Sequence, residues 1–277
     1  KHSLKPLTIT PEHPIYVLAN QRKMLNYNVI KNRLEKKLIQ MEWKEAKELT
    51  LNDMIVYKIP NYEKDIESIS ADDCYFYGVL LGDGYVNNSE VMNHITLHTT
   101  KKNYILEFLK GYLSNNCIRY FISVDNNTTR IRWNKTINLP FRHSDIYNNC
   151  KEKWINYRYL NLPIEKSKFI LKGLIDTDGC KSSKELVFDS TSIHLIEGIR
   201  YILLKMGILS SGLIRNRIGE KHMTNRGIIE NKKIGYTLRI PKTKEIAELL
   251  GLGISGQFFK FFRYNEFLMT RINRIST

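Results

Sequence analysis

Two aspartates in this chain sit where a carboxylate is electrostatically out of place. Asp83 follows the apolar run Tyr75-Phe76-Tyr77-Gly78-Val79-Leu80-Leu81 and lies between Gly82 and Gly84. Asp178 follows Phe169-Ile170-Leu171-Lys172-Gly173-Leu174-Ile175 and lies between Thr177 and Gly179. Runs of this composition read as buried helices stopped by the small residues after them. The C-terminal end of a helix carries partial negative charge, so an acid there is misplaced by ~0.3–1 kcal/mol unless a cation stands in front of it. Packing the two helices through Gly78 and Gly173 would bring both acids together, with the Gly82 or Thr177 carbonyl completing a pocket of oxygen donors. Such a set suits Mg²⁺, which binds through one or two carboxylates plus substrate phosphate. The expected chemistry is metal-assisted phosphodiester hydrolysis, in which the ion polarises the phosphate and acidifies the attacking water. An Asp-Gly pair can also do no more than end a helix. Two copies, 95 residues apart in matching surroundings, argue against that reading.

The elements that must carry the pair are legible around it. Ser70 opens the first helix, with Asp73 three residues on as a short capping box and Asp72 and Asp73 favourably placed in the first turn. The second helix begins after Pro163. Each stretch is followed by a polar turn (Asn87-Asn88-Ser89; Lys181-Ser182-Ser183) and a strand ending in hydroxyls (Ile95 to Thr100; Leu186 to Thr191). Next come an amphipathic helix (Tyr104 to Leu113; Leu195 to Met206) and a late strand running into Lys-Thr (Thr129 to Thr136; Tyr236 to Thr243). This is a twofold repeat, not a solenoid, which needs at least three shorter units. Lys135 and Lys242 close the late strands and are the lysines expected to position water or stabilise charge, with Lys244 the nearest rival. Strand alternation puts Arg130, Arg132 and Asn134 on one face and Ile131 and Trp133 on the other. His94, Thr96 and His98 alternate with Ile95 and Leu97 in the same way, and Arg215, Arg217 and Arg239 supply the second half. Arginine contacts phosphate and reads guanine bidentately.

Composition points to the same partner. The 277 residues carry 43 Lys+Arg against 28 Asp+Glu, a formal charge of +15. Residues 1–65 hold 12 basic and 8 acidic side chains, and residues 66–277 hold 31 and 20. The excess is spread over segments of strand character interleaved with 16 Tyr and 11 Phe, not gathered on one amphipathic helix, so nucleic acid is favoured over an anionic membrane. A hydrophobic fraction of 42% with only 15 Gly and 7 Pro excludes disordered and low-complexity classes. No apolar run approaches the ~20 residues of a membrane span, and no secretory signal stands at the start. The cysteines (Cys74, Cys117, Cys150, Cys180) form no CxxC pair, which argues against a zinc ribbon and fits a reducing, intracellular setting without secretion.

Phe76 to Gly84 and Leu171 to Gly179 resemble the paired signature of the LAGLIDADG homing endonucleases. The second copy is close, with Lys172 and Thr177 in the two alanine positions; the first has Leu81 where the pattern has its first acid, which is not the family's metal ligand. The resemblance covers about residues 70–275. It implies an α+β fold of two αββαββα repeats related by a pseudo-twofold axis, with the signature helices on the axis and a saddle of antiparallel sheets over DNA. It also implies Mg²⁺-dependent cleavage of a long, pseudo-palindromic duplex site by a monomer. A catalytically silent DNA-binding protein of this fold and an RNA-splicing maturase are the alternatives.

Residues 1–60 read as β-rich, with Leu7 to Thr10, Ile15 to Leu18 and Met54 to Ile59 as strands and a boundary after Pro60. Thr10-Pro11-Glu12-His13 resembles the TxxH motif of the intein splicing (Hint) domain, in which this Thr and His activate the upstream splice junction. The expected division is therefore a partial Hint-like segment at 1–62 and an endonuclease domain at 68–277, with repeats at about 70–160 and 163–275. With no Cys or Ser at residue 1 and no closing His-Asn, splicing by the sequence as it stands is not expected. Gly251 to Gly256 satisfies GxGxxG, but it follows a probable helix and lacks the later acid of a dinucleotide site. The tail Phe258-Phe259-Lys260-Phe261-Phe262-Arg263 reads as a helix packed on the second repeat.

Overall fold

A computed structural model describes residues 4 and 7–275, apart from 90, 135–138, 140, 182–184, 225–226 and 254–259. The N-terminal segment contains β1 (Pro14–Leu18), α1 (Tyr27–Glu35), β2 (Met41–Glu45) and β3 (Met54–Lys58). Leu7 to Thr10 form no strand, against expectation, and α1 was not legible. It is opened by Asn26, whose side chain accepts from the Asn28 N–H at 2.9 Å. Only Ile30 and Leu34 are buried on it, a spacing of four submerged in a strongly basic stretch.

The first signature stretch forms α2 (Ala71–Asp83). The Asp73 N–H donates to Ser70 Oγ at 3.1 Å and the Ser70 N–H to Asp73 Oδ2 at 2.7 Å, so the capping box is closed. Then come β4 (Gly84–Tyr85), β5 (Asn93–His98), α3 (Asn103–Asn115), β6 (Tyr120–Asp125) and β7 (Thr128–Trp133). A strap with two single-turn helices, α4 (His143–Ile146) and α5 (Tyr157–Leu160), leads to α6 (Ile164–Asp178). Beyond it lie β8 (Gly179–Lys181), β9 (Glu185–Ser190), α7 (Ile193–Lys205), β10 (Ser211–Arg215), the hairpin β11 (Lys221–Thr224) and β12 (Gly227–Glu230), β13 (Gly235–Pro241) and α8 (Lys244–Leu250). The two four-stranded antiparallel sheets share one order: β4-β5-β7-β6 in the first half and β8-β9-β13-β10 in the second.

The signature helices pack backbone to backbone. A Cβ on Gly78 would stand 2.2 Å from the Ile170 carbonyl oxygen, and one on Gly173 would stand 2.4 Å from that of Tyr75. Neither neighbour can yield, because both are helix backbone. The close approach lets two helix ends, and the acids on them, share one site. The strap holds α2 from outside. Tyr77 stacks on Tyr159 at 4.1 Å between ring centroids, its hydroxyl donating to the Asp145 carbonyl at 2.5 Å and accepting from the Asn156 N–H at 3.2 Å.

The C-terminal tail departs from expectation. Phe262 lies in a strand, β14 (Phe262–Tyr264), and this hairpins into β15 (Phe267–Arg271), which pairs with β3. The result is one five-stranded sheet, β14-β15-β3-β1-β2, drawn from both ends of the chain. The reason is burial: Phe262 and Met269 pack with Leu18, Ile30, Leu34 and Met54 under α1. The expected extension of the second repeat to residue 275 is thereby corrected, since residues 262–271 belong with the N-terminal segment. Removing residues 1–60 alone would strip β15 of β3, leaving it only β14, and expose that cluster. Phe258 and Phe259 lie outside the described residues.

Candidate nuclease centre

Asp83 and Asp178 are the last residues of α2 and α6. A helix end leaves its final carbonyls without intrahelical partners, and here lysines from elsewhere reach them. Lys102, just before α3, places Nζ 2.5 Å from Asp83 Oδ2 and 2.6 Å from the Thr177 carbonyl, so one ammonium spans both helices. Lys153, in the strap, donates to the Gly82 carbonyl at 2.6 Å. Its own carbonyl accepts from Ser192 Oγ at 2.6 Å, which fixes the strap to the start of α7. Ser192 stands at the N-cap of α7 in the second half, the junction that Lys102 occupies before α3 in the first. The two halves are thus chemically unequal, and the strap supplies the second lysine.

The electrostatics couple these groups. Crowding by protein and then the Asp83 charge push the Asp178 carboxyl above the usual aspartate range, while Lys153 and Lys102 pull it back. Burial holds the Lys153 ammonium below the usual lysine range against the attraction of Asp178 and Asp83. A raised carboxyl pKa means that ionised Asp178 costs stability above its folded pKa, a cost relieved as pH falls through that value. Carboxyl-carbon NMR titration should find Asp178 protonating at higher pH than an ordinary aspartate. In Lys153→Met it should move higher still, because a charge favouring the anion is gone; a downward movement would remove Lys153 from the site.

Lys135, one expected lysine, lies outside the described residues. Lys242 sits at the junction of β13 and α8. Lys153 and Lys102 are cations that act on Asp178. Lys102 and Lys153, which the sequence does not single out, reach the helix ends from segments whose path it does not reveal. The first acid of the second signature, Asp176, is engaged elsewhere. It is buried and accepts from Tyr75 Oη at 3.1 Å and Lys172 Nζ at 2.7 Å, which ties α6 to α2. Burial and Asp176 together push the Tyr104 hydroxyl up to about 12. Leu81, the residue in that place on α2, is buried apolar surface.

The first sheet presents the expected alternation. Ile131 and Trp133 are buried, while Arg130 is exposed and Arg132 half-buried on the opposite face. Arg130 pairs across the sheet with Thr96 and donates from Nε to its hydroxyl at 3.1 Å; Arg132 stands beside His94 and donates to Ser123 Oγ at 3.0 Å. Burial, with the Arg130 and Arg132 charges, holds His94 below the usual histidine range. His98 ends β5, its Nδ1 3.3 Å from Thr100 Oγ1. Asn134 accepts the Met92 N–H at 3.1 Å and closes the loop before β5. The second sheet differs. Arg215 ends β10 opposite Gly235, Arg217 lies beyond the strand 3.8 Å from Glu220, and Arg239 forms a 2.8 Å ion pair with Glu185. Asp189 shares this face and accepts the Thr237 hydroxyl. Alternation along β13 does not reveal these acids, because they stand on its neighbour β9. In the N-terminal segment, Thr10 and His13 are exposed on one turn, where the His13 N–H donates to the Thr10 carbonyl at 3.1 Å.

Residues 165–240, from α6 through β13, match the family model of a LAGLIDADG-like domain. The chain is 28% identical over 215 residues to the ATP-dependent DNA helicase Hel308 of Methanocaldococcus jannaschii, a match covering 73% of this chain and 17% of that protein. An uncharacterized protein of the same organism is 32% identical over 80 residues, covering 24% of this chain and 10% of its own length. The chain therefore spans less than a fifth of these curated relatives. Among solved structures, mesophilic variants of the homing endonuclease I-DmoI are similar at 15% identity and a TM-score of 0.47, covering 67% of this chain and 98% of theirs.

Proposed function

We propose that this chain is a site-specific endonuclease of double-stranded DNA that uses Mg²⁺ held between Asp83 and Asp178. The observation that carries the reading is two carboxylates, delivered by the ends of two helices in backbone contact, at the junction of two sheets of like order. The family match supports it for the half that contains Asp178. The donors fit the ion: two carboxylates and the Gly82 and Thr177 carbonyls are hard oxygens, and this set already attracts two ammonium groups. Bound there, Mg²⁺ would supply Lewis-acid polarisation of a phosphate oxygen and a more acidic water.

The chain's own groups do the rest. Lys102 and Lys153 stand beside the pair and can take phosphate oxygens, neutralising charge as it develops on the scissile group. Arg130 and Arg132, with His98 and Asn134 at the margins, hold and read one half of the duplex. Arg215, Arg217 and Arg239 serve the other. One chain supplies both halves, so a monomer acts on a long, pseudo-palindromic site. Thr10 and His13 are the residues this reading keeps from an intein splicing segment, now joined to the C-terminal strands.

The test is binding as a function of salt. Affinity for duplex should fall steeply with ionic strength, as phosphate neutralisation requires. Arg132→Ala should cost ~1–3 kcal/mol at one or two base positions and relax preference there. A salt slope near zero would remove DNA as the partner, and a uniform loss across sequences would place Arg132 on the backbone.

A further inference from the structure

We infer that Lys102 competes with the metal for Asp83, and that duplex phosphate relieves the competition, so metal and DNA bind cooperatively. The inference rests on the proposed nuclease centre and deepens it. Two features carry it. The Lys102 ammonium lies 2.5 Å from Asp83 Oδ2 and 2.6 Å from the Thr177 carbonyl, so it takes oxygens from both helices that an ion between them would need. Lys153 takes a third, the Gly82 carbonyl. The site is also short of ligands. No group of three or more His, Cys, Asp or Glu side chains that could hold a metal occurs among the described residues. Mg²⁺ demands near-octahedral oxygen coordination and gives up water reluctantly, so two carboxylates under competition from two ammonium groups make a weak site.

Duplex DNA changes both quantities. A phosphate at the helix ends offers Lys102 an anion in place of Asp83 and offers the metal a further oxygen. Each ligand then favours the other by the same factor, as linkage requires. Lys102 thus holds metal affinity down through Asp83 in the free protein and turns to phosphate once duplex is bound.

The experiment measures Mn²⁺ binding to the full chain by electron paramagnetic resonance of the free ion, with and without a mixed-sequence duplex. Without duplex, Lys102→Met should bind Mn²⁺ about tenfold more tightly than the unaltered protein, because a cation and its charged hydrogen bonds no longer compete. Adding Asp83→Asn should cancel that gain. Duplex should tighten Mn²⁺ binding by the unaltered protein and add less to Lys102→Met. Lys102→Gln, which keeps a donor for the Thr177 carbonyl but no charge, serves if the methionine variant does not fold, and Lys102→Arg should leave affinity low. Equal Mn²⁺ affinity of Lys102→Met, Lys102→Gln and the unaltered chain without duplex would overturn the inference and leave the nuclease reading standing. The gain without any duplex cleavage by the unaltered chain would do the reverse.

Discussion

Asp83→Asn and Asp178→Asn should each abolish double-strand cutting while duplex binding survives. Asparagine keeps the size of the side chain and loses the charge that would hold the ion. Electrostatic stabilisation by a catalytic metal is worth several kcal/mol, so each substitution should lower the cleavage rate about a thousandfold or more. Binding should persist or strengthen slightly, because a negative charge has left a surface that meets phosphates. The measurement pairs single-turnover cleavage with a binding isotherm for each variant. Normal cutting by either would take that residue out of the centre. Loss of binding in step with cutting would point to a folding defect.

The largest effect on stability is expected at the helix contact. Gly78→Val would put side-chain carbon where the Ile170 carbonyl oxygen already stands 2.2 Å from the Cβ position, and helix backbone cannot move aside cheaply. Separating α2 from α6 should cost ~3 kcal/mol or more, at the upper end of overpacking effects. Gly111 provides the opposite sign. It lies inside α3 with nothing within 4 Å of its Cβ position, so Gly111→Ala should stabilise by ~0.5–1 kcal/mol. Urea unfolding of the three proteins decides. A Gly78→Val midpoint equal to that of the unaltered chain would mean that the helices do not meet as described, and the shared site would lose its geometric basis.

The signature helices were readable because several local signals agreed. Ser70 with Asp73 marks one start, Pro163 another, and each apolar run ends at small residues. Strand periodicity placed Arg130 and Arg132 outward, since Ile131 and Trp133 had to be inside. Legibility failed where long-range partners decide. Lys102 and Lys153 are 19 and 70 residues beyond Asp83, and only the packing of α3 and of the strap brings their ammonium groups to the helix ends. Repeat position singles out the late-strand Lys135 and Lys242 but does not tell which further loops reach the helix ends. The tail misled for a related reason. Phe261-Phe262 followed by Arg263 has no periodicity that separates strand from helix; Phe262 and Arg263 pair with β15, which is itself held by β3 roughly two hundred residues away. The acids Glu185 and Asp189 lie on the same sheet face as Arg239, so the second half of the duplex would meet a less basic surface than the first.

Cleavage of a randomised duplex library tests the account most directly. The library is incubated with the full chain in Mg²⁺ and in chelator, and the new ends are sequenced. Ends recurring at one long site, present with Mg²⁺ and absent with chelator, are the predicted result. Ends no more frequent with the protein than without it, under conditions where the same protein retains duplex on a filter, would contradict the account and leave a DNA-binding protein without nuclease chemistry.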